Sequence, residues 1–263
     1  MKRSTPNDRL RLGSLEVRRI GLGTNRLRNT DDAVAFIRAA VDAGIRMIDT
    51  AHLYTSGESE KTIGRAFSPM RRDIVVATKG GYGDTGRGKP DILRQEIEQS
   101  FASLSVDRIA LYYLHRVDPT TPIEESLGAI KEYVDRGVIE QVGLSKVDIS
   151  LIERARKVVP IAAVQNEYNL AKREHDGVID YCTRENIVFV PYFPLRAEPS
   201  RELMESAKRH GATPRQIMLA WMLKRSPMVL PIPGTLSLEH LKENLDALRI
   251  ELSDEEFDLI ASS

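Results

Sequence analysis

Short apolar runs alternate with longer amphipathic segments along the whole chain. Eight runs can be delimited, near 18–22, 46–49, 74–78, 109–114, 138–143, 161–165, 187–191 and 228–232. Such near-continuous apolar runs are typical of parallel strands that are covered on both faces. The segments between them repeat apolar positions at helical spacing, as Leu93, Ile97 and Leu104 do. Eight strand–helix units in one direction predict an α/β fold, a (β/α)8 TIM barrel.

Helix-start signals support this division. Thr30 precedes two aspartates, which predicts an N-cap followed by an acidic first turn. Thr121 stands three residues before Glu124 with Pro122 between them, a pattern that predicts a capping box.

A few segments fall outside the repeat. Residues 10–17 predict an N-terminal β-hairpin that turns around Gly13 and Ser14. Extra helices are expected near the C-terminal end, one over 214–224 and a final one over 253–261. The glycine-rich stretch 80–90 predicts a mobile loop at the substrate mouth. Without an interdomain linker in the pattern, residues 1–263 are expected to form a single domain.

The composition narrows the function classes. Lys plus Arg and Asp plus Glu are both 38, so the net charge is zero and neither nucleic acid nor a membrane surface is predicted as a partner. No run approaches the roughly 20 apolar residues of a membrane span.

Cys182 is the only cysteine, and the N-terminus lacks the apolar region of a signal peptide. Both features favour a cytoplasmic location. The five histidines lack metal-ligand spacing, so no metal is predicted.

Four polar residues stand at or just after the ends of successive apolar runs. Asp49 ends the second run and Tyr54 follows closely, Lys79 follows the third run, and His115 follows the fourth. In a parallel barrel the carboxyl ends of all strands meet at one mouth, where such barrels place their chemistry. We therefore expect the four side chains to converge.

These four groups form a proton-handling set. A phenol has a pKa near 10, and a neighbouring ammonium such as Lys79 lowers it. With Asp49 holding the ammonium, Tyr54 can protonate a carbonyl oxygen while His115 orients it. The accompanying hydride requires a cofactor. The residues also admit other interpretations: Asp49 and Lys79 as a structural ion pair, or Lys79 as the Schiff-base lysine of a lyase.

Motifs in a fixed order then indicate a family. They comprise Gly-Leu-Gly-Thr at 21–24, Asp-Thr-Ala-His-Leu-Tyr-Thr-Ser-Gly-Glu-Ser-Glu at 49–60, Ala-Thr-Lys-Gly-Gly at 77–81, Tyr-Leu-His at 113–115, Gly-Leu-Ser at 143–145, Val-Gln-Asn-Glu-Tyr-Asn at 164–169, Pro-Tyr-Phe-Pro-Leu at 191–195, Ile-Pro-Gly-Thr at 232–235 and His-Leu-Lys-Glu-Asn at 240–244. In this ordered set the chain resembles the aldo-keto reductases.

The resemblance implies an NADPH-dependent oxidoreductase that reduces an aldehyde or ketone to an alcohol. It makes Tyr54 the general acid, Lys79 its activator, Asp49 the partner of Lys79, and His115 the group that orients the carbonyl. It also implies a set of residues that bind NADPH or NADP+, namely Gly23, Thr24, Ser145, Lys146, Gln165, Tyr192, Phe193, Pro194, Leu195, Arg196, Gly234, Thr235, His240, Glu243 and Asn244.

Within that set the resemblance assigns regions of the dinucleotide. Ser145 and Gln165 would hold the nicotinamide carboxamide, and Tyr192 would stack on the ring. Residues 193–195 would follow the pyrophosphate, and the residues from 234 to 244 would hold the adenosine end.

The chain departs from the family pattern at several positions. Lys146 replaces a frequent asparagine, and Arg196 a frequent glycine. Some reductases place Lys and Arg where this chain has Gly234 and His240. We therefore expect a weaker interaction with the 2′-phosphate of NADPH.

Segments 165–169, 191–195 and 232–235 are similar to bacterial pyridoxal reductases, so pyridoxal and a generic small aldehyde are both candidate substrates. The alternative is an NADP-binding regulatory subunit with slow turnover. Substrate, reaction direction and oligomeric state stay open.

Overall fold

A parallel sheet of seven strands forms the centre of the computed structural model, which describes residues 8–13 and 15–262. The strands pair in sequence order and share one direction. They are β3 (Leu22–Gly23), β4 (Met47–Asp49), β5 (Val75–Gly80), β6 (Ile109–Leu114), β7 (Ile139–Ser145), β8 (Ile161–Gln165) and β9 (Val188–Phe189).

The sheet closes through the predicted eighth strand, which is irregular. Residues 228–234 bridge both edges, because Gly234 pairs with Gly23 of β3 and Val229 pairs with Phe189 of β9. Two prolines within this segment lack the N–H that a regular ladder needs. The predicted barrel is therefore confirmed, with seven regular strands and one closing segment held by isolated bridges.

Helices cover the outside of the barrel. They are α1 (Asp31–Asp42), α2 (Glu58–Ala66), α3 (Pro90–Leu104), α4 (Ile123–Asp135), α5 (Ile149–Arg156), α6 (Asp176–Arg184), α7 (Arg201–His210), α8 (Pro214–Arg225), α9 (Leu238–Asp246) and α10 (Asp254–Ser262). Short 3-10 helices occur at Tyr54–Gly57 and Ala247–Arg249. The extra helix α8 and the final helix α10 confirm the prediction from the sequence.

The N-terminal hairpin covers the end of the barrel opposite the predicted site. Strands β1 (Arg9–Leu12) and β2 (Leu15–Arg18) pair antiparallel, as predicted. Leu12 and Val17 share a buried cluster with Met47 and Val75, the first residues of β4 and β5. Ser14, predicted in the turn, lies outside the described residues.

The two helix-start predictions have different outcomes. The Thr30 hydroxyl accepts the Ala33 N–H at 3.2 Å, which confirms the first N-cap. The capping box at Thr121 is wrong, because helix α4 begins after Pro122 without a side-chain cap. The Thr121 hydroxyl instead donates to the Asp118 carboxylate at 3.1 Å. A nearby carboxylate thus outcompetes the helix N–H as its partner.

Candidate active site

The parallel strands bring the four predicted catalytic residues together at the carboxyl end of the barrel. Asp49 is the last residue of β4, Lys79 lies one residue before the end of β5, and His115 follows β6 directly. Tyr54 begins the 3-10 helix that follows β4. Thr55, the next residue, has a positive φ of 48°, and its hydroxyl donates to the Leu27 carbonyl at 2.7 Å. This contact ties the turn behind Tyr54 to the barrel.

Lys79 is the centre of the arrangement. Its fully buried Nζ donates to Asp49 Oδ1 at 2.5 Å, to the Thr50 carbonyl at 2.7 Å and to Tyr54 Oη at 3.3 Å. Gln165 Nε2 donates to the other carboxylate oxygen of Asp49 at 2.8 Å. A single hydrogen-bonded chain therefore runs from β8 through Asp49 and Lys79 to the phenol.

Burial and charge act in opposite directions on the pair. Burial raises the pKa of Asp49, while Lys79 and Gln165 oppose the rise. Burial acts to lower the pKa of Lys79, but the oxygens of Asp49 and Tyr54 outweigh it and raise this pKa above its ordinary value. We take the pair as ammonium and carboxylate, since three oxygens accept hydrogen bonds from Lys79.

Tyr54 departs from the sequence expectation in one respect. The sequence predicts that Lys79 lowers the pKa of the phenol, and it acts in that direction. Burial acts the other way and is the larger effect, so the pKa of Tyr54 is raised above 10. The phenol therefore keeps its proton at neutral pH, as a proton donor must.

His115 is held as a neutral imidazole. Burial, the Lys79 ammonium and Lys146 together lower the pKa of His115 to about 2. Its ring lies edge-on to that of Tyr54, with 5.9 Å between the centroids. Within the described residues its Nδ1 has no hydrogen-bond partner. A neutral ring beside the phenol can donate an N–H to a carbonyl oxygen without carrying a charge.

A cavity of about 690 Å³ opens above these groups. Asp49, Tyr54 and His115 line it, while Lys79 lies beneath. Eleven of the predicted cofactor residues also line it, namely Gly23, Thr24, Ser145, Lys146, Gln165, Tyr192, Phe193, Pro194, Leu195, Arg196 and Gly234.

A second cavity adjoins the first and contains most of the remaining predicted residues. Thr235, His240 and Asn244 line it, and Gly234 lines both cavities. Glu243 lines neither cavity. Its backbone carbonyl accepts a hydrogen bond from Gln216 Nε2 at 3.0 Å and so joins α9 to α8.

The sequence interpretation missed several lining residues. Arg26 lines both cavities, and Arg215, near the start of α8, lines the second. Tyr82 comes from the loop predicted at the substrate mouth, and its ring lies tilted against that of His115 with 4.7 Å between ring centroids. Glycine content predicted that loop, but no local signal marks the two arginines, because their convergence depends on barrel closure.

The lining fits an extended, anionic dinucleotide. A Cβ on Gly23 would approach the Ile232 carbonyl to 2.8 Å, so only glycine leaves this stretch of wall open. Because Gln165 Nε2 is bound to Asp49, its amide oxygen is the acceptor it can offer to a carboxamide. Arg26 and Arg215 provide cations at the far end, where phosphate groups would lie.

Comparisons with known proteins agree with this geometry. The sequence profile of the Aldo/keto reductase family matches residues 19–198 and 196–263, which together span most of the chain. The chain belongs to the aldo/keto reductase family. Pyridoxine 4-dehydrogenase of Escherichia coli is 34% identical to this aldo/keto reductase, over 93% of this chain and 94% of the relative.

Solved structures of the family superpose on nearly the whole molecule. The thermostable aldo-keto reductase Tm1743, in complex with the inhibitor epalrestat, has a TM-score of 0.89 and 36% identity, covering 97% of this chain and 98% of that one. An aldo-keto reductase from Klebsiella pneumoniae in complex with NADPH has a TM-score of 0.88 and 28% identity, covering 97% and 94%.

This aldo/keto reductase is therefore an NADP(H)-dependent oxidoreductase of small carbonyl compounds. In the described part of the chain, no helix is long and apolar enough to cross a bilayer. The same residues contain no cluster of three or more His, Cys, Asp or Glu side chains arranged to hold a metal ion.

Proposed function

We propose that this enzyme reduces an aldehyde or ketone to an alcohol with NADPH, and that Tyr54 is the general acid. One observation carries the proposal: Lys79 Nζ contacts both Asp49, at 2.5 Å, and Tyr54 Oη, at 3.3 Å, beneath a cavity of dinucleotide-binding character. An ion pair with only a structural role would not need a phenol as a third partner facing that cavity.

NADPH, when bound, supplies the hydride that adds to the carbonyl carbon. Ser145 and Gln165 would hold its carboxamide, and Tyr192 would cover the nicotinamide ring. Arg26 and Arg215 would face its phosphates, a role suggested by their charge and place in the cavities. These assignments keep the reacting ring near Tyr54 and leave the space beside Tyr82 for substrate.

The protein groups then handle the proton. His115, neutral near pH 7, donates an N–H to the carbonyl oxygen and orients it. Tyr54 transfers its proton to that oxygen as the carbon accepts hydride, so the product is the alcohol and the residue left behind is a phenolate. Lys79 stabilises this phenolate, because its ammonium lies within hydrogen-bond distance of the phenol oxygen.

Pyridoxal is one substrate that this proposal admits, and a generic small aldehyde is another. The named activity of the Escherichia coli relative, pyridoxine 4-dehydrogenase, supports the former.

The proposal is tested with Tyr54→Phe. We expect a loss of at least ~10²-fold in NADPH-dependent aldehyde reduction, the scale of general-acid catalysis, with little change in NADPH affinity. Tyr181→Phe is the matched control, because it too loses a hydroxyl bond, to Arg156 at 2.8 Å, but lies outside the cavity. Near-full activity of Tyr54→Phe would refute the acid role. NADPH binding without turnover by the wild type would favour a regulatory subunit instead.

A further inference from the structure

The larger cavity carries a positive charge beside its catalytic groups. Lys146 follows β7 directly and lines the cavity with an exposed side chain. In the described part of the chain it forms no ion pair with a carboxylate. Its Nζ instead donates to Tyr82 Oη at 3.5 Å and lies 4.5 Å from the centroid of the Tyr82 ring.

Tyr82 connects this ammonium to the reaction centre. The Tyr82 ring contacts both Lys146 and His115. Its centroid lies 4.5 Å from Lys146 Nζ and 4.7 Å from the centroid of the His115 ring. The charge of Lys146 also acts on His115. Together with burial and Lys79, it lowers the pKa of His115. Lys146 is thus close enough to act on a molecule held against His115.

The backbone beneath Lys146 is strained and firmly held. Its φ is +60°, a conformation that non-glycine residues rarely adopt. The Lys146 N–H donates to the Gln165 carbonyl at 3.0 Å. Both amide atoms of the buried Asn166 bind the backbone of Val147, at 3.0 and 2.7 Å. Such strain persists only where the surroundings enforce it, and it is typical of functional sites.

The other charges of the cavity do not neutralise Lys146. Asp49 is engaged by Lys79, and the Glu167 carboxylate by Lys172 at 3.1 Å and Arg196 at 3.5 Å. Arg26 lines both cavities and therefore belongs with the cofactor side, whereas Lys146 lines only the first and contacts Tyr82, beside which the space for substrate lies. The substrate end of the site is therefore positively charged.

We propose that this reductase selects carbonyl substrates that carry a carboxylate, and that Lys146 is the cation that recognises it. The inference rests on the proposed function and names its substrate class. One unpaired ammonium matches the single charge of a carboxylate better than the nearly double charge of a phosphate monoester. The substrate's carbonyl lies at Tyr54 and His115, its apolar body against Tyr82, and its carboxylate at Lys146.

The test compares two aldehydes of the same shape, 4-carboxybenzaldehyde and its neutral methyl ester, methyl 4-formylbenzoate. At saturating NADPH the wild type should have the higher kcat/KM for the acid, and 0.5 M salt should shrink this preference. Lys146→Asn should lower the acid-to-ester ratio about fivefold, the effect of one partly exposed charge pair. Asparagine is chosen because it tolerates a positive φ. Using a ratio cancels any change in cofactor binding common to both substrates.

Two further variants act as controls. Lys146→Arg keeps the charge and should keep the ratio. Lys208→Asn removes an exposed lysine on α7 that lines neither cavity, and it should also keep the ratio. An unchanged ratio in Lys146→Asn would overturn the inference. An equal fall for both aldehydes together with weaker NADPH binding would also overturn it, and would assign Lys146 to the cofactor. If the wild type reduces neither aldehyde, this inference fails, whereas NADPH-dependent reduction of another aldehyde, such as pyridoxal, would still support the proposed function.

Discussion

At the scale of single residues, the site depends on a balance between burial and charge. Burial alone would disfavour the ammonium of Lys79, the carboxylate of Asp49 and a charged His115. Asp49 and Lys79 offset this penalty for one another, whereas His115 has no such partner and stays neutral. Tyr54 stays protonated for the same reason, because burial outweighs the nearby ammonium. Each group thereby has the protonation state that the proposed carbonyl reduction requires.

Removal of Lys79 should affect activity and stability separately. Lys79→Met should lower turnover at least as far as Tyr54→Phe does. It should also cost about 3–5 kcal/mol of unfolding free energy, because Asp49 becomes an unpaired buried charge. The double variant Asp49→Asn/Lys79→Met removes that charge and should recover much of the stability in urea denaturation without recovering activity. A stable, fully active Lys79→Met enzyme would contradict the mechanism.

His115 should make stability depend on pH. Its pKa is about 2 in the folded protein and near 6.5 when unfolded, so the unfolded chain binds the extra proton between these values. The contribution to stability is fully present above pH 6.5 and is lost as pH falls toward 2. Between pH 7.5 and 5.0 the loss should be about 2 kcal/mol.

The variant His115→Asn should lack this component. Denaturation of both proteins at several pH values gives the slope of unfolding free energy against pH. The difference between the two slopes measures the contribution of His115, because the titration of all other groups cancels. Parallel stability profiles for wild type and variant would show that His115 can be protonated in the folded protein.

At the scale of elements, two helix starts meet at the second cavity. Ser237 caps α9, with its hydroxyl accepting the His240 N–H at 3.3 Å, and His240 lines the cavity. Thr213 caps α8 through a reciprocal capping box, and Arg215 extends from the first turn of that helix. Helix N-termini favour anions through their free N–H groups, and here a guanidinium adds to the effect. The cavity therefore suits a phosphate.

This geometry predicts a preference for NADPH over NADH. Arg215→Ala and His240→Ala should each weaken NADPH binding about three- to tenfold and leave NADH affinity nearly unchanged, because NADH lacks the 2′-phosphate. Fluorescence titration with both cofactors measures the effect. Lys242→Ala serves as control, since Lys242 is exposed on α9 but lines neither cavity. Equal losses for both cofactors would place the two residues elsewhere along the dinucleotide.

At the scale of the whole molecule, barrel closure assembles the site from both ends of the chain. The Gly23 N–H donates to the Pro233 carbonyl at 3.3 Å, and Gly21 donates to the Pro231 carbonyl at 3.0 Å. This seam joins β3 to the closing segment and lies along the cavity wall. A cofactor held here would contact the first and last strands at once, so binding should stabilise the closed barrel.

The seam should tolerate no side chain at Gly23. Gly23→Ala places a Cβ 2.8 Å from the Ile232 carbonyl, so a backbone must move, and we expect a loss of about 1–3 kcal/mol in unfolding free energy. Weaker NADPH binding should accompany the loss. Gly128→Ala is the matched control, because nothing lies within 4 Å of its new Cβ and α4 should gain stability by roughly 0.5–1 kcal/mol. Equal effects of the two substitutions would refute the close packing of Gly23 against the closing segment.

The order of the strands and the position of the candidate catalytic groups follow from the amino-acid pattern alone. Apolar runs mark buried parallel strands, and a polar residue at a run's carboxyl end must lie at the mouth, so Asp49, Lys79 and His115 could be located without coordinates. The ordered family motifs also indicate the cofactor-binding residues, and the contact of each residue with the cofactor is still a prediction.

Features that depend on the distance between remote segments follow from the folded structure and not from local sequence. Whether burial or Lys79 controls the phenol of Tyr54 is a balance that no local pattern encodes. Arg26 and Arg215 converge because the barrel closes, and Lys146 reaches Tyr82 because two loops meet over the mouth. Periodicity records which face of an element is buried, but electrostatics and hydrogen bonding depend on what else is buried there.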